Sequence, residues 1–541
     1  MKRLADDEPE RHDVFLGLVA PIGSSRAQVV KALIATLRPY DYRVEHVRLA
    51  DLLDAVAPTA DPLPRLTDRG YYEARMDAGD RLRRGAGDDS ALAAMAVARV
   101  ASIRQPSEGD GPQPTCFVFD SLKHPREADL LKSVYGTAFW LVSIVEDSAV
   151  RTTNLADVLA KQEGSFSAAP EARAAALIAR DEADPDAAHG QHVRDVFSEA
   201  DFFLPVQRGG QWRREVERFV RGVFAAPFLT PTADEEAMRH AQAAALRSAA
   251  IGRQVGAVIV PRLGTPYLPG TNEVPRPGGG QYREGDEPDH RDFQAGADPN
   301  PAYTERVIRE LIDRLAKARY FTEERNAAGG NAILREATAP DANGRSVLDG
   351  TRAKSLIEFT RCLHAEQAAI VDAARSGVAI AGARLYTTTF PCHECTKFII
   401  GAGIVEVQYI EPYPKSLAGD LFGDLIDTVP PLTVRRVEPT NLERVPFRPF
   451  VGFGPHRYDD VFRSGERRVG NGIAEHDPGS ACPVGFGWSD VAVQTKESEV
   501  VLAITSVVRR LREQPPESKA TESDDNLDDG DDSTSTSTVG A

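Results

Sequence analysis

The sequence lacks any apolar run long enough to cross a bilayer, and it has few cysteines for its length. Five cysteines occur among 541 residues, so we expect free thiols in a reducing compartment rather than a disulfide framework. The start, Met1-Lys2-Arg3 followed by acidic residues, lacks the apolar stretch of a signal peptide. No segment approaches the ~20 apolar residues of a membrane-spanning helix. These absences predict a cytoplasmic protein with no membrane partner.

Basic residues are scarce relative to acidic ones. The chain has 64 Lys and Arg against 81 Asp and Glu, which gives a formal net charge of −17. Part of the acidic excess lies in a run of aspartates between Asp524 and Asp532. Proteins that bind polynucleotides depend on many phosphate contacts from Lys and Arg. The composition therefore disfavours DNA or RNA as a substrate.

Two short motifs, H-x-E and P-C-x-x-C, carry the chemistry of the chain. His364, Cys392 and Cys395 offer one nitrogen and two sulfur ligands, a set that binds Zn²⁺ and leaves a fourth position for water in a catalytic site. Zinc lowers the pKa of that water to ~7, so hydroxide is available at neutral pH. Glu366 is predicted to be the catalytic acid–base that moves protons without binding the metal. Together the motifs are the signature of zinc-dependent nucleobase deaminases.

A structural zinc site and a redox motif are the alternative explanations of the C-x-x-C pair. A structural zinc site needs a fourth protein ligand, and Cys362 is the only candidate nearby in the sequence. A redox motif does not need the upstream H-x-E. The predicted context is a helix over 367–376, a strand over 384–389, a short helix and a strand over 405–410. Both ligand sets then lie at helix N-termini, where the helix dipole favours thiolate. This context favours a catalytic site.

These motifs, with Leu385-Tyr386-Thr387-Thr388-Thr389 between them, resemble the deoxycytidylate deaminase branch of the zinc cytidine deaminases. The segments Glu411-Pro412-Tyr413-Pro414-Lys415-Ser416 and Pro449-Phe450-Val451-Gly452 are similar more narrowly to bacterial anti-phage dCTP deaminases, and the resemblance runs from about Val14 to Phe462. It implies a hydrolase acting on cyclic amidines, which converts dCTP, dCMP or both to dUTP or dUMP and ammonia. It also implies dCTP depletion as a defence against phage, with a repressor that restrains the enzyme. We expect a homo-oligomer.

A housekeeping dCMP deaminase that supplies dUMP for thymidylate synthesis would share every active-site residue, and it is the main alternative. The additional N-terminal module favours a regulated enzyme over it. A deaminase that edits nucleic acids is disfavoured by the charge, and a non-enzymatic zinc scaffold is disfavoured by the intact Glu366. Free deoxycytidine nucleotides are therefore the expected substrates.

Four residues around the motifs are predicted to bind the substrate. The resemblance implies that Asn272 holds a sugar hydroxyl, although an Asn in a turn is also common for local reasons. Arg253 and Lys415 are the candidate partners of the substrate phosphate, and Lys415 follows a strand, where ligands of α/β sheets gather. Ala365, between His364 and Glu366, completes the set.

The N-terminal half alternates strands with helices, which predicts a doubly wound α/β unit. A strand over 13–19 leads through a glycine-containing turn into a helix, the place where P-loop proteins bind phosphate. The turn lacks the Lys and the spacing of a Walker motif, so we expect no kinase or ATPase chemistry. The predicted nucleotide-binding residues of this half are Gly17, Gly23, Ser24, Ser25 and Asp120. A tight turn without a ligand is the alternative.

The resemblance extends into this half through two further segments. Asp120-Ser121-Leu122-Lys123-His124-Pro125 and Gly190-Gln191-His192-Val193-Arg194-Asp195 look like degenerate counterparts of a nucleotide-kinase-like module. A regulatory nucleotide is the ligand that this implies for the N-terminal half.

The predicted fold class is α/β, with an N-terminal P-loop-like doubly wound sheet and a C-terminal three-layer α/β/α deaminase sheet. The predicted parts are a regulatory domain (1–226), a linker (227–236), a zinc-dependent domain (237–465) with an insertion (276–350), a C-terminal extension (466–512) and a disordered acidic tail (513–541). Pro227 and Pro231 interrupt any helix in the linker. The insertion is predicted to combine a mobile loop with a helix over 304–318, as a lid or an oligomer contact.

Overall fold

The structure is a computed structural model. It describes residues 11–57, 62–104, 114–163, 170–184, 189–207, 209–341, 346–413, 415–428, 442–463, 467–484 and 490–513. Apart from Glu513, the predicted acidic tail lies outside these ranges. Within them the protein has two six-stranded sheets and one two-stranded sheet. None of the helices in these ranges combines the length and the apolar character that a membrane span requires.

Five parallel strands form most of the N-terminal sheet. They are β1 (Val14–Val19), β2 (Arg43–Arg48), β3 (Thr115–Asp120), β4 (Phe139–Val145) and β5 (Phe202–Pro205). The helices of this half are α1 (Arg26–Leu37), α2 (Leu49–Leu52), α3 (Tyr71–Ala86), α4 (Ala91–Ile103), α5 (Pro125–Tyr135), α6 (Ser148–Glu163), α7 (Pro170–Glu182), α8 (Val193–Phe197) and α9 (Arg213–Val223). The strands lie in the order β2-β3-β1-β4-β5, which confirms the predicted alternation of strands and helices around a parallel sheet.

Apolar cores cover both faces of this sheet. Alternate residues of β1 point to opposite sides, so Phe15 packs with α4 and α5 in one core and Leu16 packs with α1 and α9 in the other. Because β1, β3 and β4 are buried along their whole length, they appear in the sequence as continuous apolar runs, as is typical of central parallel strands.

The C-terminal sheet combines antiparallel and parallel strands. Its strands are β6 (Gly256–Val260), β7 (Leu268–Thr271), β8 (Arg384–Thr389), β9 (Glu406–Glu411), β10 (Ile426–Asp427) and β11 (Val445–Pro449). Its helices are α10 (Ala233–Ala245), α15 (Ala365–Ser376), α16 (His393–Gly401) and α17 (Ala418–Phe422). In the order β10-β11-β9-β8-β6-β7, β6 runs antiparallel to both of its neighbours, and β8, β9, β11 and β10 are mutually parallel.

Helices cover both faces of the C-terminal sheet as well. Val258 and Tyr386 pack against Met238 of α10 on one face. Ile259 and Leu385, one residue further along each strand, pack with α15 and α16 on the other. The alternation follows from the two-residue period of a strand. The sheet therefore has the three-layer arrangement that the sequence predicts.

The predicted insertion folds into four helices, α11 (Asp292–Ala295), α12 (Pro299–Lys317), α13 (Glu323–Ala328) and α14 (Gly330–Thr338). The helix expected over 304–318 begins five residues earlier, because the Asp298 carboxylate accepts a hydrogen bond from the Asn300 amide at 2.9 Å and Pro299 occupies the first helical position. Both residues are start signals that the apolar periodicity alone does not reveal. Ile308, Ile312 and Ile333 form a small core of their own.

The end of the described chain returns to the N-terminal half. It contains β12 (Gly452–Phe453), α18 (Tyr458–Phe462), β13 (Arg468–Val469), β14 (Gly472–Ile473) and α19 (Asp490–Glu513). Strand β12 pairs antiparallel with β5, and α19 places Val493 and Ile504 in the core beside α4. Arg104 binds Glu497 of α19 at 3.1 Å. The N-terminal half is therefore built from both ends of the chain, and Glu513 belongs to a helix.

Glu235, at the start of α10, joins the two sheets. It is 1% exposed, and each of its carboxylate oxygens accepts a hydrogen bond from the Arg218 guanidinium at 2.7 Å. The amide of Phe453 in β12 donates to Oε1 at 2.7 Å, and the amide of Thr232 donates to Oε2 at the same distance. The end of the predicted linker is thus fixed by a buried ion pair, and α10 already begins within the range 227–236.

We predict that Glu235→Gln destabilises the whole protein, because it leaves the Arg218 charge without its partner. Breaking a buried ion pair on one side costs about 3 kcal/mol. Urea unfolding followed by circular dichroism measures the change. The control is Asp459→Asn, which breaks the exposed pair of Asp459 with Arg239 and is expected to cost less than ~1 kcal/mol. Equal effects of the two changes would show that Glu235 does not hold the halves together.

Candidate metal centre

Two helix N-termini deliver the predicted metal ligands. His364 is the N-cap of α15. Its backbone N–H donates a hydrogen bond to the side-chain oxygen of Gln367 at 3.2 Å, as in a capping box. Cys392 is the N-cap of α16, and its Sγ accepts a hydrogen bond from the Cys395 amide at 3.5 Å. Helix α15 ends at Gly377 in the left-handed conformation, where the sequence predicts the end. The local structure around both motifs is therefore as expected.

The two N-termini meet, and they bring the three ligands together. His364 Nδ1 lies 3.2 Å from Cys392 Sγ and 3.3 Å from Cys395 Sγ, and all three ligand atoms lie within 4.8 Å of one another. Both sulfurs belong to buried residues. Among the residues that the structure describes, this is the group of His, Cys and acidic side chains close enough to hold one metal ion.

The donor set fits a catalytic zinc ion. Zinc takes nitrogen and sulfur ligands in a tetrahedron, with Zn–N of about 2.0–2.1 Å and Zn–S of about 2.3 Å, which puts neighbouring donors about 3.6 Å apart. The observed separations of 3.2 and 3.3 Å need only a few tenths of an ångström of expansion. Three protein ligands leave the fourth tetrahedral position open for water.

A glycine allows α15 to approach the sheet closely enough for this geometry. A Cβ atom on Gly270 of β7 would lie 2.1 Å from the carbonyl oxygen of Ala365 and 2.5 Å from the amide of Ala369. Both contacts are with helix backbone, which cannot move aside. Gly270 therefore fixes the depth at which the first turn of α15, with His364 and Glu366, lies against the sheet.

The pKa values of two side chains at the cluster, Cys392 and Glu366, are shifted from their ordinary values. The hydrogen bond from the Cys395 thiol lowers the pKa of Cys392 to about 4, and the neighbouring His364 contributes in the same direction. A thiolate is thus available as a metal ligand well below neutral pH. Burial raises the pKa of Glu366, which is 4% exposed.

Glu366 is next to the metal ligands and outside their set. Its Oε2 accepts a hydrogen bond from Cys395 Sγ at 3.3 Å, yet it is not part of the group of atoms that could share one ion. A carboxyl group in this place can exchange protons with a water or ligand at the open position.

A cavity of about 260 Å³ opens in front of the cluster. The predicted substrate-binding residues Asn272, Arg253 and Ala365 line it together with His364 and Glu366. Lys415, by contrast, is exposed in a turn and is not among the lining residues. The structure thus brings three of the four predicted substrate-binding residues into one cavity.

The side chains of Asn272 and Arg253 both have partners within the protein: Asn272 makes hydrogen bonds and Arg253 makes an ion pair. The Asn272 side chain accepts from the Val255 amide at 2.7 Å and donates to the Arg253 carbonyl at 2.8 Å, so it also shapes the loop before β6. The Arg253 guanidinium binds Glu411 at 2.6 Å, and Thr389 Oγ1 donates to the other Glu411 oxygen at 3.2 Å. Arg253 must leave or share Glu411 to bind a phosphate.

Several cavity residues were not predicted from the sequence. Asp298 and Asn300, at the start of α12, form part of the wall, so the insertion contributes to this site. Phe390 and Tyr413 form the aromatic side. Phe390 immediately precedes the P-C-x-x-C motif and Tyr413 lies in the quoted segment after β9, which is the sequence signal that could have found them. Nothing in the sequence connects residues 298 and 300 to the motifs.

The N-terminal residues predicted to bind a nucleotide have partners within the protein. Ser25, the N-cap of α1, donates through its amide and its hydroxyl to Glu146, at 2.7 and 2.8 Å. The Ile22 amide donates to Asp181 at 2.8 Å. These two carboxylates occupy the positions where a P-loop would hold phosphate oxygens.

Gly17, Gly23 and Asp120 also have structural roles. A Cβ on Gly17 would lie 2.7 Å from the Phe139 ring, and a Cβ on Gly23, at φ +80°, would lie 2.3 Å from a backbone oxygen of α6. Asp120 binds Arg26 at 3.1 Å and His46 at 2.8 Å. Packing and ion pairing therefore explain these residues without a ligand, and their role in nucleotide binding stays a prediction.

Comparison with known proteins defines the class of the C-terminal region. Residues 231–411 match the family model described as the cytidine and deoxycytidylate deaminase zinc-binding region. This range includes His364, Glu366, Cys392 and Cys395. Residues 231–411 are thus similar to this zinc-binding region, and the His-Cys-Cys group within them could hold a metal ion.

Two of the relatives that match a part of the chain are named deoxycytidylate deaminases. The chain is 46% identical over 57 residues to the deoxycytidylate deaminase of Enterobacteria phage T4. The matched segment is 10% of this chain and 30% of the phage protein. The chain is 50% identical over 48 residues to the probable deoxycytidylate deaminase of Drosophila melanogaster, covering 9% of this chain and 23% of that one. The chain thus spans less than a third of the length of these curated relatives. The crystal structure of dCMP deaminase from cyanophage S-TIM5 is 18% identical over 40% of this chain and 98% of its own, with a TM-score of 0.20.

We predict that Cys392→Ser, Cys395→Ser and His364→Ala each lose zinc, because a site with three protein ligands does not keep its geometry with two. Metal content of the purified proteins, measured by inductively coupled plasma mass spectrometry, checks this. Cys362→Ser is the matched control, since Cys362 is buried near the motif but bonds Asp292 instead, at 3.5 Å. Full zinc occupancy in the three ligand variants, or loss in the control, would contradict the assignment.

Proposed function

We propose that this protein deaminates free deoxycytidine nucleotides by hydrolysis, with dCMP, dCTP or both as substrates. The observation that carries this proposal is a buried His-Cys-Cys centre with a carboxylate, Glu366, beside it and outside the ligand set, at the bottom of a cavity lined by Asn272 and Arg253. The match of residues 231–411 to a deaminase zinc-binding region supports the reaction class.

The proposed mechanism assigns proton transfer to Glu366. Zn²⁺ held by His364, Cys392 and Cys395 would supply a Lewis acid that makes hydroxide available from water at neutral pH. Glu366 would take one proton from the water and deliver it to the ring nitrogen as the water oxygen bonds to C4 of the cytosine. Glu366 would then move the second proton from the new C4 hydroxyl to the amino group, so that the C4–N bond breaks, ammonia leaves and the C4 carbonyl forms. Burial raises its pKa, which makes the protonated form accessible and suits a group that must both accept and donate. His364, Cys392 and Glu366 line the cavity, so the proposed reaction requires the amino-bearing carbon of the base to enter toward these side chains.

Sugar and phosphate recognition is assigned to the cavity mouth. The Asn272 amide is held in place by its bonds to Val255 and to the Arg253 backbone, and its remaining N–H is available for a sugar hydroxyl. Arg253, half exposed and paired with Glu411, is the cavity-lining cation for the phosphate. The low number of cations in this mouth supports a small free nucleotide over a polynucleotide.

We further propose that the N-terminal half is a degenerate P-loop-like domain and that it regulates the deaminase. A cavity of about 400 Å³ lies between the two halves, and Phe390 and Tyr413 line both this cavity and the catalytic one. A change at the boundary between the halves can therefore reach the active site through these two rings. We propose depletion of dCTP on infection as the role of the regulated enzyme; a housekeeping dCMP deaminase regulated by its N-terminal domain is the alternative.

The proposal predicts the substrate profile of the purified zinc-loaded protein. We expect ammonia release from dCMP or dCTP, and slower release from the cytosines of single-stranded DNA, because few cations line the cavity. Glu366→Gln should keep zinc and fold and lose at least ~10²-fold in kcat, the usual scale of general acid–base catalysis. Faster deamination of single-stranded DNA than of either nucleotide, or near-normal turnover by Glu366→Gln, would refute the proposed function.

Arg253→Met is predicted to raise the KM for the phosphorylated substrate about 10-fold, because it removes one charge-assisted hydrogen bond to the phosphate. The KM for deoxycytidine, which has no phosphate, should not change. Glu411→Gln is the matched control, since it removes the competing partner of Arg253 and is expected to leave the nucleotide KM equal or lower. Steady-state kinetics with both substrates tests the assignment, and an equal effect of Arg253→Met on nucleoside and nucleotide would contradict it.

A further inference from the structure

A second cavity, of about 370 Å³, lies at the carboxyl edge of the N-terminal sheet. The turn after β1, the first residues after β3 and the segment before α8 all reach it, through Ser24, Ser121, Lys123 and Gln191. These are the same three segments that the sequence marks as remnants of a nucleotide-kinase-like module. Carboxyl ends of parallel strands are where open α/β sheets bind ligands.

Buried polar groups in the wall of this cavity lack partners. Among the residues that the structure describes, none bonds the side-chain oxygens Ser121 Oγ and Gln191 Oε1 or the Nε of Arg83. These three residues are 6%, 8% and 1% exposed, and all three line the cavity. An unpaired buried polar atom costs about 1–3 kcal/mol, so such a concentration in one wall indicates a missing hydrogen-bonding partner.

The charges of the wall indicate that this partner is neutral. Each cation that lines the cavity already has a carboxylate of the protein beside it. The pairs are Arg26–Asp120, Arg75–Asp54, Arg83–Asp80 and Lys123–Asp181. The amides of the turn after β1 are likewise bonded to Asp181 and Glu146. A phosphate chain would have to displace these carboxylates from both the cations and the turn.

The remaining wall suits a planar ring. Tyr71 and Tyr72 line one side, and Leu53, Met76 and Leu92 line the apolar end. Aromatic side chains stack on nucleobases of any sequence. The unpaired groups require a ligand that both accepts, from Arg83 Nε–H and the Ser121 hydroxyl, and donates, to Gln191 Oε1. The edges of a nucleobase and the hydroxyls of its sugar offer both kinds of group.

We propose that this cavity binds a nucleoside, with the base and sugar inside it and without phosphates seated on the turn after β1. The volume lies at the small end of the ~300–1,000 Å³ usual for ligand pockets, which suits one nucleoside. The site is separate from the catalytic cavity, which belongs to the other sheet, and it does not depend on the proposed deamination.

The test is equilibrium binding of adenosine, guanosine, thymidine and deoxycytidine to the full-length protein by isothermal titration calorimetry. All proteins carry Glu366→Gln, which is expected to slow any turnover at the candidate metal centre at least ~10²-fold. Adding Gln191→Leu should weaken binding of at least one nucleoside about 10-fold or more, because the hydrogen bond to Oε1 is lost. Thermal stability without ligand should stay equal or rise, since Gln191 Oε1 has no partner to lose. Pyrimidine binding at the catalytic cavity should be the same in both proteins.

The matched control is Gln211→Leu, which changes an exposed glutamine in the wall of a different cavity and should leave nucleoside binding unchanged. The 5′-triphosphate of the binding nucleoside should bind no more tightly than the nucleoside itself. The proposal is overturned if no nucleoside binds outside the catalytic cavity, if Gln191→Leu does not change binding, or if the triphosphate binds at least 10-fold more tightly. A loss of stability in Gln191→Leu would show instead that this residue has a structural role.

Discussion

The metal centre depends on one constraint: two helix N-termini must meet at a point beside the C-terminal sheet. Helix α15 brings His364 and Glu366, and α16 brings Cys392 and Cys395. Their first turns lie close enough for His364 Nδ1 to approach both sulfurs within 3.3 Å. This requires the helix to lie almost in contact with β7, which Gly270 permits.

The two halves of the protein are joined by buried contacts rather than by a flexible tether. Glu235 connects the middle of α9, the start of α10 and strand β12 through Arg218, Thr232 and Phe453. Strand β12 in turn extends the N-terminal sheet directly after β11 of the C-terminal sheet. A ligand that shifts the N-terminal sheet therefore acts on packed elements. Phe390 and Tyr413 line both the cavity beside the His-Cys-Cys group and the cavity between the halves, so packed side chains connect the two cavities.

The turn after β1 lies where a phosphate-binding loop would lie, but its amides bond carboxylates of the protein. Its glycines and serines occupy the place of a phosphate-binding loop, yet Glu146 and Asp181 satisfy its amides. Burial raises the pKa of Glu146, which reflects the cost of holding a carboxylate there. Carboxylates supplied by the protein act as the anions that such a turn attracts. Any ligand of this half then has to bind beside the turn.

The sequence alone determined the elements and the chemistry of the metal centre, because these depend on local signals: helix caps, strand periodicity and a ligand set with fixed spacing. It placed strands β1, β8 and β9 and the ends of α15 within a residue or two. Only the tertiary structure decided which distant segments contact one another or line the same cavity. The approach of Asp298 to His364, the return of α19 to α4, the Arg253–Glu411 pair and the filling of the turn by Glu146 all join residues far apart in the chain. Such contacts are set by the packing of whole elements against one another, a property that no local pattern carries.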